Sequence, residues 1–370
     1  MDLTSEQRDL RDAVRGLLAR HPGDDALLWQ RLCREIGAAG LAIPERYGGA
    51  GAGPVETHIV LEELGRGLTA SPMLGSAVLA AQALLASGDT AACQRLLPAI
   101  ASGTAVAALA WTGEDGHWDP GEPACAATLG SASGWLLTGE AHYVFDGDTA
   151  GVLLAAARTP DGTGLFEVDP DQPDVIRRAE TAVDLTRRLA TVRLDGVPGL
   201  PLGDHTGGAG CGALARARDL ACIALSAEQV GAAQRALELT VAYTKIRVQF
   251  GRPIGSFQAL QHRMADLHVL AESARSVSYA AASAAADSAA AGNAAGLGLR
   301  AAAVKAYCSE ALTRVAGQMI QLHGAIGITW EHDAHRYFKR AHGAGQLFGP
   351  PAEHVARVAA AVIDGRPDEP

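Results

Sequence analysis

Hydrophobic periodicity changes twice along these 370 residues, and that double change is what most restricts the fold. Up to about residue 103, apolar residues recur at three-and-four spacing. Thr4, with Gln7 three residues on, reads as a capping box for a helix carried by Leu10, Val14, Leu17 and Leu18. After HPGDD a second helix carries Leu28, Leu32 and Ile36, and Gly37 to Gly40 end it. The glycines and prolines of GLAIPERYGGAGAGP break regular structure before helices resume at Val55. From Thr104 the pattern becomes short apolar runs between turn signals: AVAALAW, WLLTGEAHYVF, GVLLAAART, GLFEVD and TRRLATVRLDG. Such runs are strand-like, and with no long helix between them the expected sheet is antiparallel, a small barrel or sandwich. DHTGGAGCGA does not complete a dinucleotide fingerprint after a strand and reads as a linker. Beyond Ala213 helical spacing returns, first as a long buried central helix, then as an alanine-dense stretch broken at Gly292-Asn293. The chain is therefore expected to be α+β and multidomain: an N-terminal all-α domain over 1–103, a central β domain over 104–205 and a C-terminal helical bundle over 213–370.

Charge and cysteine usage exclude several classes of function. A formal net charge of -10 lacks the basic face that neutralises nucleic-acid phosphates. The six cysteines, Cys33, Cys93, Cys125, Cys211, Cys222 and Cys308, form no C-x-x-C pair, so neither a zinc ribbon nor a redox dithiol is indicated. MDLTSEQRDLRDAVRG is too charged for a signal peptide, and no run of roughly 18 apolar residues follows. A cytoplasmic protein without a membrane or metal partner is expected. His332 and His335 in EHDAH lack the H-E-x-x-H pattern, which favours a surface or interface role over metal ligation.

Chemistry concentrates in RVQFGRPIGSFQALQHRMAD, residues 247–266. Arg247, Gln249 and Phe250 are expected on the last turn of the central helix, with Gly251 and Pro253 at the corner and Gln258 and His262 opening the next helix. A guanidinium beside an aromatic face suits a phosphate and a stacked ring. Equally, Arg247 would cap helix carbonyls and the aromatics would be core. The arginine pairs Arg177-Arg178 and Arg187-Arg188 are expected to face solvent as strand-edge charges, with contact to a phosphate as the alternative.

This stretch resembles the R-x-x-F-G-x-P-x-x-x-F-Q-x-x-x-H-x-x-A-D segment of the acyl-CoA dehydrogenase family. GLAIPERYGGAG followed by VLEELGRGL resembles the family's N-terminal helical domain, and QMIQLHGAIGITWEHDAHRYFKRA its C-terminal segment. The resemblance covers nearly the whole chain. It implies the family fold, a helical domain, a β-barrel and a four-helix bundle, and FAD chemistry: α,β-desaturation of an acyl-CoA thioester, with an electron-transfer flavoprotein reoxidising the flavin. It implies that Arg247, Phe250 and Gln258 grip the ADP end of FAD and that Gln321 and Gly324 complete the grip across a dimer interface, with Ala325 where a second glycine is usual. Tyr143 stands where tryptophan usually covers the ring, and His323 is expected beside the adenine.

The reacting end departs from the family. The two positions at which it places its carboxylate base hold Phe348 and Ala221, which cannot take a proton. Asp219, two residues before Ala221, is the remaining candidate, while Glu228 is expected to pack or pair at an interface. Two flavin-facing threonines are replaced by Ala110 and Phe145, with Thr112 a substitute if its loop shifts. Two readings follow, a dehydrogenase with an unrecognised base or a non-catalytic partner subunit in a homo- or hetero-oligomeric assembly; a third is reuse of the fold for another flavin reaction. The style of the sequence resembles actinobacterial members that pair as mixed tetramers, some on steroid side-chain thioesters.

Overall fold

A computed structural model of the chain describes residues 3–21, 27–130, 134–203, 209–292 and 296–363. Helix α1 (Ser5–Arg20) opens on the expected cap: Thr4 Oγ1 accepts from the Gln7 amide at 3.2 Å and Gln7 Oε1 accepts from the Thr4 amide at 3.1 Å. α2 (Leu28–Arg31) runs into a π-helical turn over Leu32–Ile36 that stops at left-handed Gly37. α3 (Pro54–Arg66) starts on a proline, whose missing N–H costs nothing there. A second π-helix, Met73–Ala80, leads into α4 (Ala81–Ala86), and α5 (Thr90–Ala101) is capped by Asp89, which accepts from the Ala92 amide at 2.9 Å.

The β region holds seven strands: β1 (Ala107–Ala110), β2 (Cys125–Gly130), β3 (Gly134–Phe145), β4 (Val152–Thr159), β5 (Gly162–Val168), β6 (Val175–Ala179) and β7 (Leu189–Leu202). Pairing runs β4, β2, β3, β7, β5 and back to β4, which closes a barrel, with β1 added on β4 and β6 on β7. Most neighbours are antiparallel as expected, but β1 and β2 share one edge of β4 and run parallel to it. The sheet is therefore mixed, because the chain returns to β4 only after the β2–β3 hairpin. β2 and β6 escape the strand patterns since ACAATLG and VIRRA lack clear alternation.

α6 (Ala209–Ile246) is the 38-residue central helix and begins four residues before Ala213, so the glycine-rich linker is shorter than its sequence suggests. Residues 204–208 of that linker, HPGDD beyond His21 and Asn293 of the helix break lie outside the described residues. α7 (Gln258–Ala291), α8 (Leu297–His323), α9 (Ala334–Gln346) and α10 (Pro351–Ile363) complete the bundle. α3 crosses α6 at backbone contact: a Cβ on Gly65 would sit 2.1 Å from the Glu228 carbonyl oxygen, and one on Gly231 would sit 1.9 Å from that of Glu62. One apolar core runs from Val14 and Leu17 through Trp111 and Phe145 to Leu225 and Phe348, so all three stretches of the chain share it. The barrel has its own interior around Leu137, Leu153, Phe166 and Val192. Among the described residues no helix is long and apolar enough to cross a membrane.

Candidate functional site

The sequence places its candidate residues in two groups, and the structure separates them. The first gathers at one end of the bundle. α6 stops at Ile246, and Val248–Gln249 pairs with Arg252–Pro253 as a two-residue hairpin, so Arg247, Gln249 and Phe250 lie beyond the helix rather than on its last turn. Phe250 and Gly251 both have positive φ, 54° and 75°, the backbone of a tight I′-type turn, and a non-glycine in its first position hides the signal. The carbonyl of Arg247 accepts from the Ile254 amide at 2.8 Å and fixes the corner. Phe250 stands 90% exposed, its ring 6.1 Å from that of Phe257, which in turn lies under the Arg252 guanidinium at 4.1 Å. Arg247, Gln258 and His262 are exposed. The aromatics at this corner are thus not core.

Tyr243, one turn before Arg247, ties this corner to the end of α8: its hydroxyl donates to the His323 carbonyl at 3.3 Å and its ring stacks on His323 at 4.4 Å. Gln321 and Gly324 are exposed beside it, and Gly324, at φ 65° and ψ -143°, has open space where a Cβ would project. His323 itself is buried between Tyr243 and His332, whose rings each lie 4.4 Å away, so it is packed against protein instead of being open to an adenine. Its Nδ1–H donates to the Met319 carbonyl at 2.7 Å, which leaves Nε2 bare and without a partner, and burial lowers its pKa. Among the described residues no group of three or more His, Cys, Asp or Glu side chains is placed to hold a metal ion; His335 packs on Trp330, ring to ring at 4.6 Å.

The second group meets where the barrel faces α6 and the loop after α9. Phe348, where the resemblance leads one to expect a base, is buried at φ 60° and stacks on Phe145 at 5.8 Å and 23°. Trp118 packs edge-on to Phe348 at 4.9 Å and to Trp111 at 5.6 Å. Gly75 of the second π-helix makes room: a Cβ there would lie 2.3 Å from Phe145 Cβ. Ala110 and Ala221 are fully buried. The Thr112 hydroxyl donates to the His117 carbonyl of its own loop. Tyr143 is 37% exposed with its hydroxyl on the Glu114 carbonyl at 2.9 Å. The niche left between Phe145, Asp146, Arg187, Glu228 and Arg340 has a volume of about 10 Å³, space for one water at most. The niche beside Phe145 thus leaves no room for a ring system, whereas Arg247, Phe250 and Gln258 at the other end stand exposed.

Buried charges gather at this niche, and two of them, Asp184 and Arg340, carry no signal of their own in the sequence. Arg340 Nε lies 2.8 Å from Asp184 Oδ2 and its Nη1 3.1 Å from Glu228 Oε2, while Arg187 Nη2 reaches the same Glu228 oxygen at 2.5 Å. Glu228 therefore pairs within the chain, and Arg187 is not a solvent-facing strand-edge charge. Arg188 does lie at the surface, 2.9 Å from Asp148, and Arg177 donates to the Ala150 carbonyl at 2.8 Å. The neighbouring residues of DLTRR were the available signal, but alternation along a strand does not show that one arginine turns inward. Asp219 accepts from Arg357 at 3.1 Å and lies 3.8 Å from Arg218, so this carboxylate is held in ion pairs. A cleft of about 350 Å³ adjoins Phe348 on that side, walled by Trp118, Arg218, Glu353, His354 and Arg357.

Comparison with known proteins identifies the family. The family model for the acyl-CoA dehydrogenase C-terminal domain matches residues 208–363, and that for the N-terminal domain matches residues 4–104. A protein of Mycolicibacterium smegmatis named acyl-CoA dehydrogenase IpdE2 is 40% identical over 354 residues, covering 95% of this chain and 93% of the relative. Among solved structures, a variant of the Tcur3481-Tcur3483 steroid ACAD aligns with a TM-score of 0.84 at 30% identity, over 97% of this chain and 98% of that one. The ChsE4-ChsE5 complex from Mycobacterium tuberculosis aligns with a TM-score of 0.84 at 28% identity, over 98% and 99%.

Proposed function

We propose, from the premise that the chain belongs to the acyl-CoA dehydrogenase family of FAD-dependent oxidoreductases, that it is the supporting subunit of a mixed assembly that desaturates an acyl-CoA thioester. In this reading a sister chain supplies the carboxylate base and the ring contacts. This chain supplies Arg247, Phe250, Gln258, Gln321 and Gly324 to the ADP end of the sister's FAD. The flavin, when bound, provides the hydride acceptor; what this chain contributes is binding and orientation. The guanidinium of Arg247 offers paired donors to a pyrophosphate, Phe250 an uncovered ring face, and Gly324 a backbone that nothing shields.

The observation that supports this reading is the buried stack of Phe145 on Phe348, two positions at which the family resemblance expects a flavin-facing threonine and the carboxylate base. The exposed apolar groups around the other end, Ile328 and Trp330 at 72% and 75%, give an unlike chain a surface to cover. Two-chain names among the similar structures point the same way. A steroid-derived or other bulky acyl-CoA, an electron-transfer flavoprotein as electron acceptor, a cytoplasmic location and the division at 1–103, 104–205 and 213–370 belong to the same proposal. The self-sufficient reading requires Asp219 to leave Arg357, and is the weaker for it.

The test is to purify this chain alone and together with a co-expressed sister dehydrogenase, and to assay both for desaturation of acyl-CoA thioesters. Activity should appear only in the mixed assembly. Turnover by this chain alone would overturn the reading.

A further inference from the structure

A separate cavity of about 250 Å³ opens where the loop before α3, the helix pair around α4, and α6 and α7 meet. It shares no wall residue with the Phe145–Phe348 niche or with the cleft beside Phe348. Most of its wall is apolar, with Val78, Leu220, Ile223 and Ala285 among the lining side chains. Its volume corresponds to roughly eight waters at ~30 Å³ each, enough for a short hydrocarbon chain or a small ring system.

Among the described residues lining it, Arg216 carries the one formal charge. His58, also on the wall, is neutral: burial, and then the nearby Arg275, bring its pKa down to about 3. Arg216 is half-buried, and its Nη1 donates to Ser288 Oγ at 3.2 Å. No carboxylate lies within ion-pair distance of it among the described residues. Asp219, whose charge acts on it from farther off, is engaged by Arg357 at 3.1 Å. By contrast, the buried arginines Arg187 and Arg340 each meet a carboxylate. A guanidinium withdrawn from water without a counter-ion is costly, and a planar fork at the edge of an apolar cavity suits a hydrocarbon ending in an anion that accepts from both arms, such as a carboxylate.

We infer that this cavity binds a small apolar monocarboxylate, its carboxylate on Arg216 and its hydrocarbon part along Leu220, Ile223 and Val78. The inference does not depend on FAD or on a sister chain. Octanoate and n-octanol, titrated calorimetrically into the full chain, test it. Octanoate should bind at least about tenfold more tightly than the alcohol, the advantage of a charge-assisted contact. Arg216→Gln, which keeps a donor for Ser288, should erase that difference. Ala289→Trp, at an exposed wall position, should weaken both ligands. Absence of octanoate binding to the unaltered chain, or binding that Arg216→Gln leaves unchanged, would overturn the inference.

Discussion

Phe145 of β3 and Phe348 of the loop after α9 stack ring on ring, 5.8 Å between centroids and 23° between planes. Both are buried, and Trp118 closes the edge of the pair. The contact joins barrel to bundle, and in the proposed function it occupies the reacting end of the site. Its consequences can be measured one residue at a time.

Phe348→Ala should remove about 3–5 kcal/mol of stability, because a buried aromatic is lost from a packed cluster that π-helical and barrel backbones cannot collapse to fill. Urea unfolding of the full chain reads this directly. A loss below about 1 kcal/mol would mean that the aromatic cluster is not structural.

Arg340→Met should cost about 3–5 kcal/mol, since Asp184 and Glu228 would then share Arg187 alone in a buried setting. Replacing Glu228 by Gln in the same chain should recover part of the loss by removing the surplus negative charge. If the double variant were less stable than the sum of the single ones, the network would not be the reason for the cost.

Asp146 lies beside the niche, and burial raises its pKa to about 6 from 3.8. Its folded form thus holds a proton more tightly than the unfolded chain does, an advantage fully present below pH 3.8 and lost as pH rises through about 6. The difference corresponds to ~3 kcal/mol at most. Asp146→Asn should therefore raise stability at pH 7 and flatten the dependence between pH 4 and 6. Asparagine also suits the φ of 51° at this position. Equal stability–pH curves for the two proteins would refute the shift.

Arg247→Ala should leave folding within about 0.5 kcal/mol, as expected of an exposed side chain. In the mixed assembly it should weaken retention of FAD by about tenfold to a hundredfold, the worth of a charge-assisted hydrogen bond. FAD released on dilution of the purified assembly gives the number. Unchanged retention would remove Arg247 from the ADP grip.

Much of the fold was legible because its signals are local. The capping pair of Thr4 and Gln7, the apolar spacing of α1 and α3, and the length of α6 all depend on residues within a few turns of one another. The order of helices, barrel and helices followed from where the period changed. What stayed hidden depends on contacts distant in sequence. Nothing around Arg340 announces Asp184 or Glu228, which lie 156 and 112 residues away and meet it only after barrel and bundle dock. The I′-type turn at Phe250-Gly251 has no sequence signature because a phenylalanine with positive φ is rare. The two π-helical stretches carry no pattern that separates them from α-helix. At the candidate site, the family resemblance implies lost polar groups at Phe348, Ala221, Ala110 and Phe145. That Phe145 and Phe348 stack on one another in a buried cluster required the three-dimensional arrangement.

The most direct test of the central claim is the flavin content of this chain purified alone, by visible absorbance, followed by anaerobic titration with acyl-CoA thioesters. The account predicts a chain without stoichiometric flavin that no thioester bleaches, and one FAD per pair of unlike chains once a sister chain is added. One FAD per chain in the isolated protein, reduced by an acyl-CoA, would contradict it.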